Sequence, residues 1–222
     1  MRSPVVRGMA AAVIALVLLD ALGARLGVVA GMIPRATGPW LWIASRAAGV
    51  AAFVALTLDV GFGLLVSTGK GDGWVGRARA VDVHGWLSTA TLVFLAGHAL
   101  TLAGDGFIRF DALDAVVPFV APYRPIAVGL GVIAAWLAVA LHLSFDLRKR
   151  IGPRWWRRLH HASFALFGLA VIHGLAAGSD GGRTWMRGLY LGAVALVGGL
   201  TIVRVAQARA SARARAPSPA RS

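Results

Sequence analysis

The residues best suited to chemistry in this sequence are six histidines: His84, His98, His142, His160, His161 and His173. Cysteine is absent, which excludes disulfides, iron–sulfur clusters and thiolate ligation of a metal. Redox chemistry, if present, must therefore use histidine or a bound cofactor. His84 and His98 are 14 residues apart. On an α-helix that spacing puts both on nearly one face, about 21 Å apart along the axis. His160 and His173 are 13 residues apart, about 19.5 Å. If two helices run side by side in the same direction, His84 comes level with His160 and His98 with His173. Two opposed imidazoles on facing helices can supply both axial ligands of one haem iron. Two levels then imply two b-type haems stacked across the bundle, or one haem if a single level is filled. The 13-residue spacing fits an ideal helix poorly, because it turns about 220° beyond three full turns. His161 to His173 fails as well, by about 120°. Either this helix is distorted or its first histidine sits in a non-ideal first turn, and His161 stays the alternative ligand to His160.

The elements that must position these side chains follow from hydropathy. The chain has 222 residues, is 58% hydrophobic and has a mean hydropathy of +0.71. A soluble domain of this size cannot hide that much apolar surface. Apolar runs of about 20 residues recur along the whole length, which is the membrane signature. Backbone polar groups cannot be left open in lipid, so the runs are expected to be helices. The expected fold is all-α: an integral membrane bundle of six transmembrane helices at 8–31, 42–66, 81–103, 125–147, 159–178 and 185–206. Haem is expected between the third and fifth. The first run follows Arg2 and Arg7 but continues to Gly31 without a clean small-residue cleavage site, so it reads as a retained span rather than a signal peptide. Trp40, Trp42, Trp74, Trp155, Trp156 and Trp185 fall near span ends, where indole favours the interface. The Gly-rich, charged segments 69–73 and 178–182 mark loops.

The net charge of +14 does not indicate nucleic-acid binding, because the basic residues lie between apolar runs and in one tail. With the N-terminus inside, 16 of the 23 Lys and Arg residues fall in cytoplasmic segments. The expectation is a multi-pass protein of the cytoplasmic membrane with both termini in the cytoplasm. Residues 1–7 form the cytoplasmic N-terminus, 8–206 the transmembrane domain, and 207–222 a basic tail. The tail is expected to be disordered and to rest on anionic lipid. The basic stretch 148–158 is mainly a topology signal, with docking of an acidic flavoprotein as the alternative.

Other polar residues carry two readings each. Arg46, at the outer end of the second span, pairs with a haem propionate or an anionic acceptor, or it is an interfacial anchor. Arg109 and Arg124 read as loop charges. Asp20 and Asp59 lie inside spans, where they relay protons or bind a quinol hydroxyl, or are neutral hydrogen-bonding groups. His142 and His161 read as hydrogen-bonding or propionate-side groups. Phe164 and Phe167 lie between the histidine levels, as packing or as an aromatic bridge.

The run 155-WWRRLHHASFALFGLAVIHG-174 resembles the fifth helix of the ferric reductase and NADPH oxidase membrane-domain family. In that family a histidine pair is followed by His–Gly thirteen residues after the first histidine. The W-R-R-L-H lead-in is similar to bacterial members, including the haem subunit of a periplasmic methionine sulfoxide reductase system. The segment 83-VHGWLSTATLVFLAGH-98 is similar to the family's third helix, and 44-ASRAAGVAAF-53 to an Arg-containing start of its second. The resemblance spans about residues 40–190. It implies haem iron ligation by His84 with His160 and by His98 with His173, and it favours His160 over His161. It also tips Arg46 toward the haem. Full-length oxidases carry a flavin and nicotinamide domain after the last helix. Here 207–222 follows, without a G-x-G-x-x-G motif, so no FAD or NAD(P) domain is expected in this chain. The donor is then a quinol or a separate flavoprotein, and the acceptor lies on the outer side. The alternative is a membrane anchor or subunit of a redox complex, with a structural or single haem. A histidine-lined metal or proton transporter is disfavoured, because a bare ion needs ligands that converge at one point.

Overall fold

Long apolar stretches rich in Ala, Leu, Val and Gly satisfy their backbone groups internally, and they do so here as helices. The computed structural model describes residues 39–69, 76–106 and 110–214. The expected first span at 8–31, with Asp20, lies outside the described residues, as do 1–7, Trp74, Arg109 and 215–222. Among the described residues the fold is all-helical. The helices are α1 (Trp40–Thr68), α2 (Arg77–Ala103), α3 (Ala112–Val116), α4 (Pro125–Ile151), α5 (Pro153–His160), α6 (Ala162–Ala177) and α7 (Thr184–Ala214). With α5 and α6 taken as one segment, five are long and apolar enough to cross a bilayer. They match the five expected spans from residue 42 onward. The short α3 was not expected; it is set by a capping box in which Asp111 and Asp114 satisfy each other's backbone N–H.

Two boundaries differ from expectation in an instructive way. Residues 207–214 belong to α7, although disorder was expected from 207. They are mostly Ala and Arg, both good helix formers, with no Gly or Pro to stop the helix. The other difference concerns the histidines. The expected fifth span is broken at His161, which joins α5 to α6. There the His161 N–H is shared between the carbonyls of Arg157 and Arg158, at 3.3 and 3.2 Å. The Phe164 N–H then reaches the His161 carbonyl three residues back, at 3.2 Å. Such tightened turns mark a local departure from α geometry. His160 ends one helix and His173 lies on the next, so a rotation of 100° per residue does not carry across the thirteen residues between them.

α1 is the hub of the bundle, packing along α2 on one side and touching α6 and α7 on the other. α4 packs against α6. A core of Phe53, Leu56, Val60 and Leu64 on α1 meets Ala134, Ala138 and Leu141 on α4, Leu166 and Phe167 on α6, and Tyr190, Ala193 and Val197 on α7. Phe53 sits at its centre, 6.0 Å from the Phe167 ring and 4.7 Å from the Tyr190 ring. Small residues let these helices approach closely, which lipid-embedded helices need because they gain nothing from leaving an equally apolar solvent. α2 and α6, which carry facing histidines, are not among the closely packed pairs. Their imidazoles meet across the space between them.

Candidate functional site

α1 and α2 run antiparallel, and their registers match residue for residue. His84 and His98 are 14 apart on α2, and each docks on α1 at positions that are also 14 apart: Asp59 and Ser45. His98 Nδ1 lies 2.8 Å from the Ser45 carbonyl oxygen, and His84 Nδ1 lies 3.0 Å from that of Asp59. On the other side, His173 Nδ1 lies 2.8 Å from the Ala127 carbonyl of α4. A carbonyl only accepts, so in all three rings Nδ1 carries the proton. Nε2 then holds the lone pair that a metal would use.

Glycine makes these contacts possible. Four residues after each acceptor stands a glycine: Gly49 after Ser45, Gly63 after Asp59, Gly131 after Ala127. A Cβ at Gly49 would lie 3.1 Å from His98 Nδ1, and one at Gly63 would lie 3.3 Å from His84 Cε1. At Gly131 a Cβ would lie 2.6 Å from His173 Cε1, well inside contact distance. Each imidazole therefore lies in a notch on a neighbouring helix. The notch exists because the helix turn that offers the carbonyl has no side chain above it. The seat at His98 is reciprocal, since Ser45 Oγ, buried with its residue 1% exposed, donates to the His98 carbonyl at 3.1 Å.

The four histidines form two pairs. The His84 and His160 rings are 6.0 Å apart between centres, with planes crossing at 83°. The His98 and His173 rings are 6.4 Å apart, crossing at 75°. Metal–nitrogen bonds of about 2 Å, plus about 1.1 Å from nitrogen to ring centre, place two imidazoles that share one metal about 6 Å apart. Both pairs have that separation. An apolar cavity of ≈ 230 Å³ opens around His98 and His173 and is bounded by residues of α1, α2, α4, α6 and α7. The His98–His173 pair borders this cavity, a setting that suits a flat macrocyclic metal group, whereas His84 and His160 do not line it. Among the described residues no three His, Asp or Glu side chains converge as a cage for a bare ion.

The His160 setting differs. Its Nδ1 is buried without a hydrogen-bond partner among the described residues, and the Trp156 indole stacks on its ring at 5.0 Å. His161 is exposed at the helix break, and it is His160 that faces His84. His142 bonds Ser88 at 3.1 Å, tying α4 to α2. Arg46 is engaged by the Asp180 carboxylate, which also holds Arg183 at 2.9 Å. Arg46 and Asp180 border the cavity beside His98 and His173. Asp59 lies against His84, with Oδ1 2.7 Å from Nδ1. Phe167 is core packing, and Phe164 faces outward. Arg124 donates to the Ala176 carbonyl at the cavity end of α6. In the basic stretch, Arg148 lies over Phe145 and Arg158 over Trp155.

The seats at Ser45, Ala127, Gly49, Gly63 and Gly131, and the Asp180 clasp, went unseen in the sequence. The signal for part of them was present: Gly49 and Gly63 repeat the 14-residue interval of His84 and His98. Comparison with protein-family models, curated proteins and solved structures finds no match for this chain.

Proposed function

We propose that this protein is a transmembrane electron conduit similar to the membrane domain of ferric reductases. In this reading it holds one b-type haem between His84 and His160 and a second between His98 and His173. The observation that carries the reading is the pair of imidazole–imidazole separations, 6.0 and 6.4 Å, with Nδ1 already committed to a carbonyl in three of the four rings. A ligating histidine characteristically donates its other ring N–H in this way, which fixes both orientation and tautomer. Haem, when bound, supplies a one-electron ferric/ferrous couple.

The chain supplies everything else. α1 and α4 hold three of the imidazoles rigid, and the apolar wall excludes water. The spacing of about 21 Å along α2 sets two levels across the bilayer. The Lys and Arg distribution supports an orientation with the His84 level on the cytoplasmic side of the cytoplasmic membrane and the His98 level on the outer side. A quinol, or the reduced flavin of a separate flavoprotein, is the donor: it loses two electrons, which pass one at a time to an outer-side acceptor. Arg46, held by Asp180 at the His98 level, is the cation on the border of the cavity where propionates or an anionic acceptor would meet the protein.

The test is reconstitution in sealed liposomes, with reductant enclosed and a membrane-impermeant ferric chelate outside. Reduction of the chelate that depends on haem loading supports the conduit. Haem-loaded protein that passes no electrons would instead favour the alternative reading, a membrane anchor or subunit whose haem is structural.

A further inference from the structure

The two histidine seats on α1 are alike in backbone and differ in one side chain. At the outer level the residue whose carbonyl receives the Nδ1 proton is Ser45, and its hydroxyl lies 3.0 Å from His98 Nδ1. At the inner level the same position, 14 residues on, is Asp59, and its carboxylate Oδ1 lies 2.7 Å from His84 Nδ1. Asp59 Oδ1 is buried and makes no hydrogen bond among the described residues, so its approach to His84 Nδ1 is a charge contact beside the backbone hydrogen bond. A carboxylate inside a membrane span is costly, so one aimed at a single imidazole nitrogen calls for a function.

We infer that Asp59 is a positioning residue that makes the inner haem the harder of the two to reduce, and so gives the conduit its outward direction. This rests on the two-haem reading above. The chemistry is that of an outer-shell partner. A carboxylate charge 2.7 Å from Nδ1 polarises the N–H that the Asp59 carbonyl already receives, which raises the basicity of Nε2. A more basic ligand favours the higher oxidation state of the iron, and a nearby negative charge acts in the same sense. Ser45 carries no charge: its hydroxyl donates to the His98 carbonyl at 3.1 Å and offers Nδ1 only a neutral oxygen at 3.0 Å. The inner level therefore has the lower midpoint potential, and an electron that enters from the cytoplasmic side runs downhill to the outer level.

The experiment is a spectroelectrochemical titration of the purified, haem-loaded protein. It is run on the wild type, Asp59→Asn and Asp59→Ser, each repeated in a His98→Ala background that retains the inner haem alone. The serine variant gives the inner seat the side chain of the outer one. The expected result is an inner midpoint potential that rises in both variants toward that of the outer haem, while the outer potential stays put and two haems remain bound. An inner potential unchanged in both variants would overturn the inference. So would loss of the inner haem from both, which would make Asp59 a structural support. Wild-type protein that binds no haem would sink the two-haem reading itself, a different outcome from either.

Discussion

Replacing Gly131 with alanine places a Cβ 2.6 Å from His173 Cε1. Carbon atoms settle at about 3.5 Å or more, so the imidazole must retreat by about 0.9 Å. It retreats from the same helix that supplies the Ala127 carbonyl, so the 2.8 Å hydrogen bond opens past the roughly 3.5 Å at which such a bond is lost. A metal–nitrogen bond tolerates only about 0.2 Å. Loss of the outer-shell acceptor alone weakens metal binding by about 10–100-fold, and the displaced ring adds to that. The same substitution improves helix propensity by about 1 kcal/mol, so the backbone itself does not suffer. Gly131→Ala is therefore expected to fold, to lose the outer haem and to keep the inner one. At Gly49 a Cβ would stand 3.1 Å from His98 Nδ1, and at Gly63 3.3 Å from His84 Cε1, so those seats need to give by only a few tenths of an ångström. The expected order of damage is Gly131, then Gly49, then Gly63. The assay is haem per chain by pyridine haemochrome, with the low-spin spectrum recorded on the same samples. A Gly131→Ala protein with the wild-type haem content and spectrum, or one less affected than Gly63→Ala, would refute the notch argument.

His160→Ala is expected to lose the inner haem, whereas His161→Ala keeps both, as read by the same haem count. Ser45→Ala removes the hydroxyl bond to the His98 carbonyl, at a cost of about 1 kcal/mol in thermal unfolding, but keeps the outer haem because the acceptor is backbone. Asp180→Ala strips the shared partner from Arg46 and Arg183; it should lower stability by about 1–3 kcal/mol in detergent while leaving the haem count intact. An unchanged melting temperature in that variant would mean that the clasp is ornamental.

Five of the six expected spans fall on helices long and apolar enough to cross a bilayer, legible from apolar runs alone because lipid leaves a long hydrophobic stretch little choice but helix. The grouping of His84 with His160 and His98 with His173 was legible from spacing and resemblance. Their close approach was not, because the tightened turn at His161, marked in the sequence by nothing but a paired histidine, removes the ideal-helix register between His160 and His173. The seats were harder still. Ser45, Asp59 and Ala127 act mainly through carbonyl oxygens, which every residue has, and what distinguishes them is a glycine one turn later. In a chain with 28 glycines, three that matter do not stand out until the facing helix is in place. Asp180 is a related case: the loop was anticipated, but its pairing with Arg46 spans 134 residues and comes from tertiary packing. Residues 207–214 are helical where a tail was expected, since a basic, Ala-rich composition suits both a solvated tail and a helix.

The most direct test of the central claim is a reduced-minus-oxidised absorption spectrum with a haem count on detergent-purified protein expressed with haem precursor supplied. The wild type is measured beside the His98→Ala/His173→Ala double variant. Low-spin b-type bands with two haems per chain are expected in the wild type, and one haem in the variant. Wild-type protein without haem, or a double variant that keeps the full wild-type content, would contradict the claim.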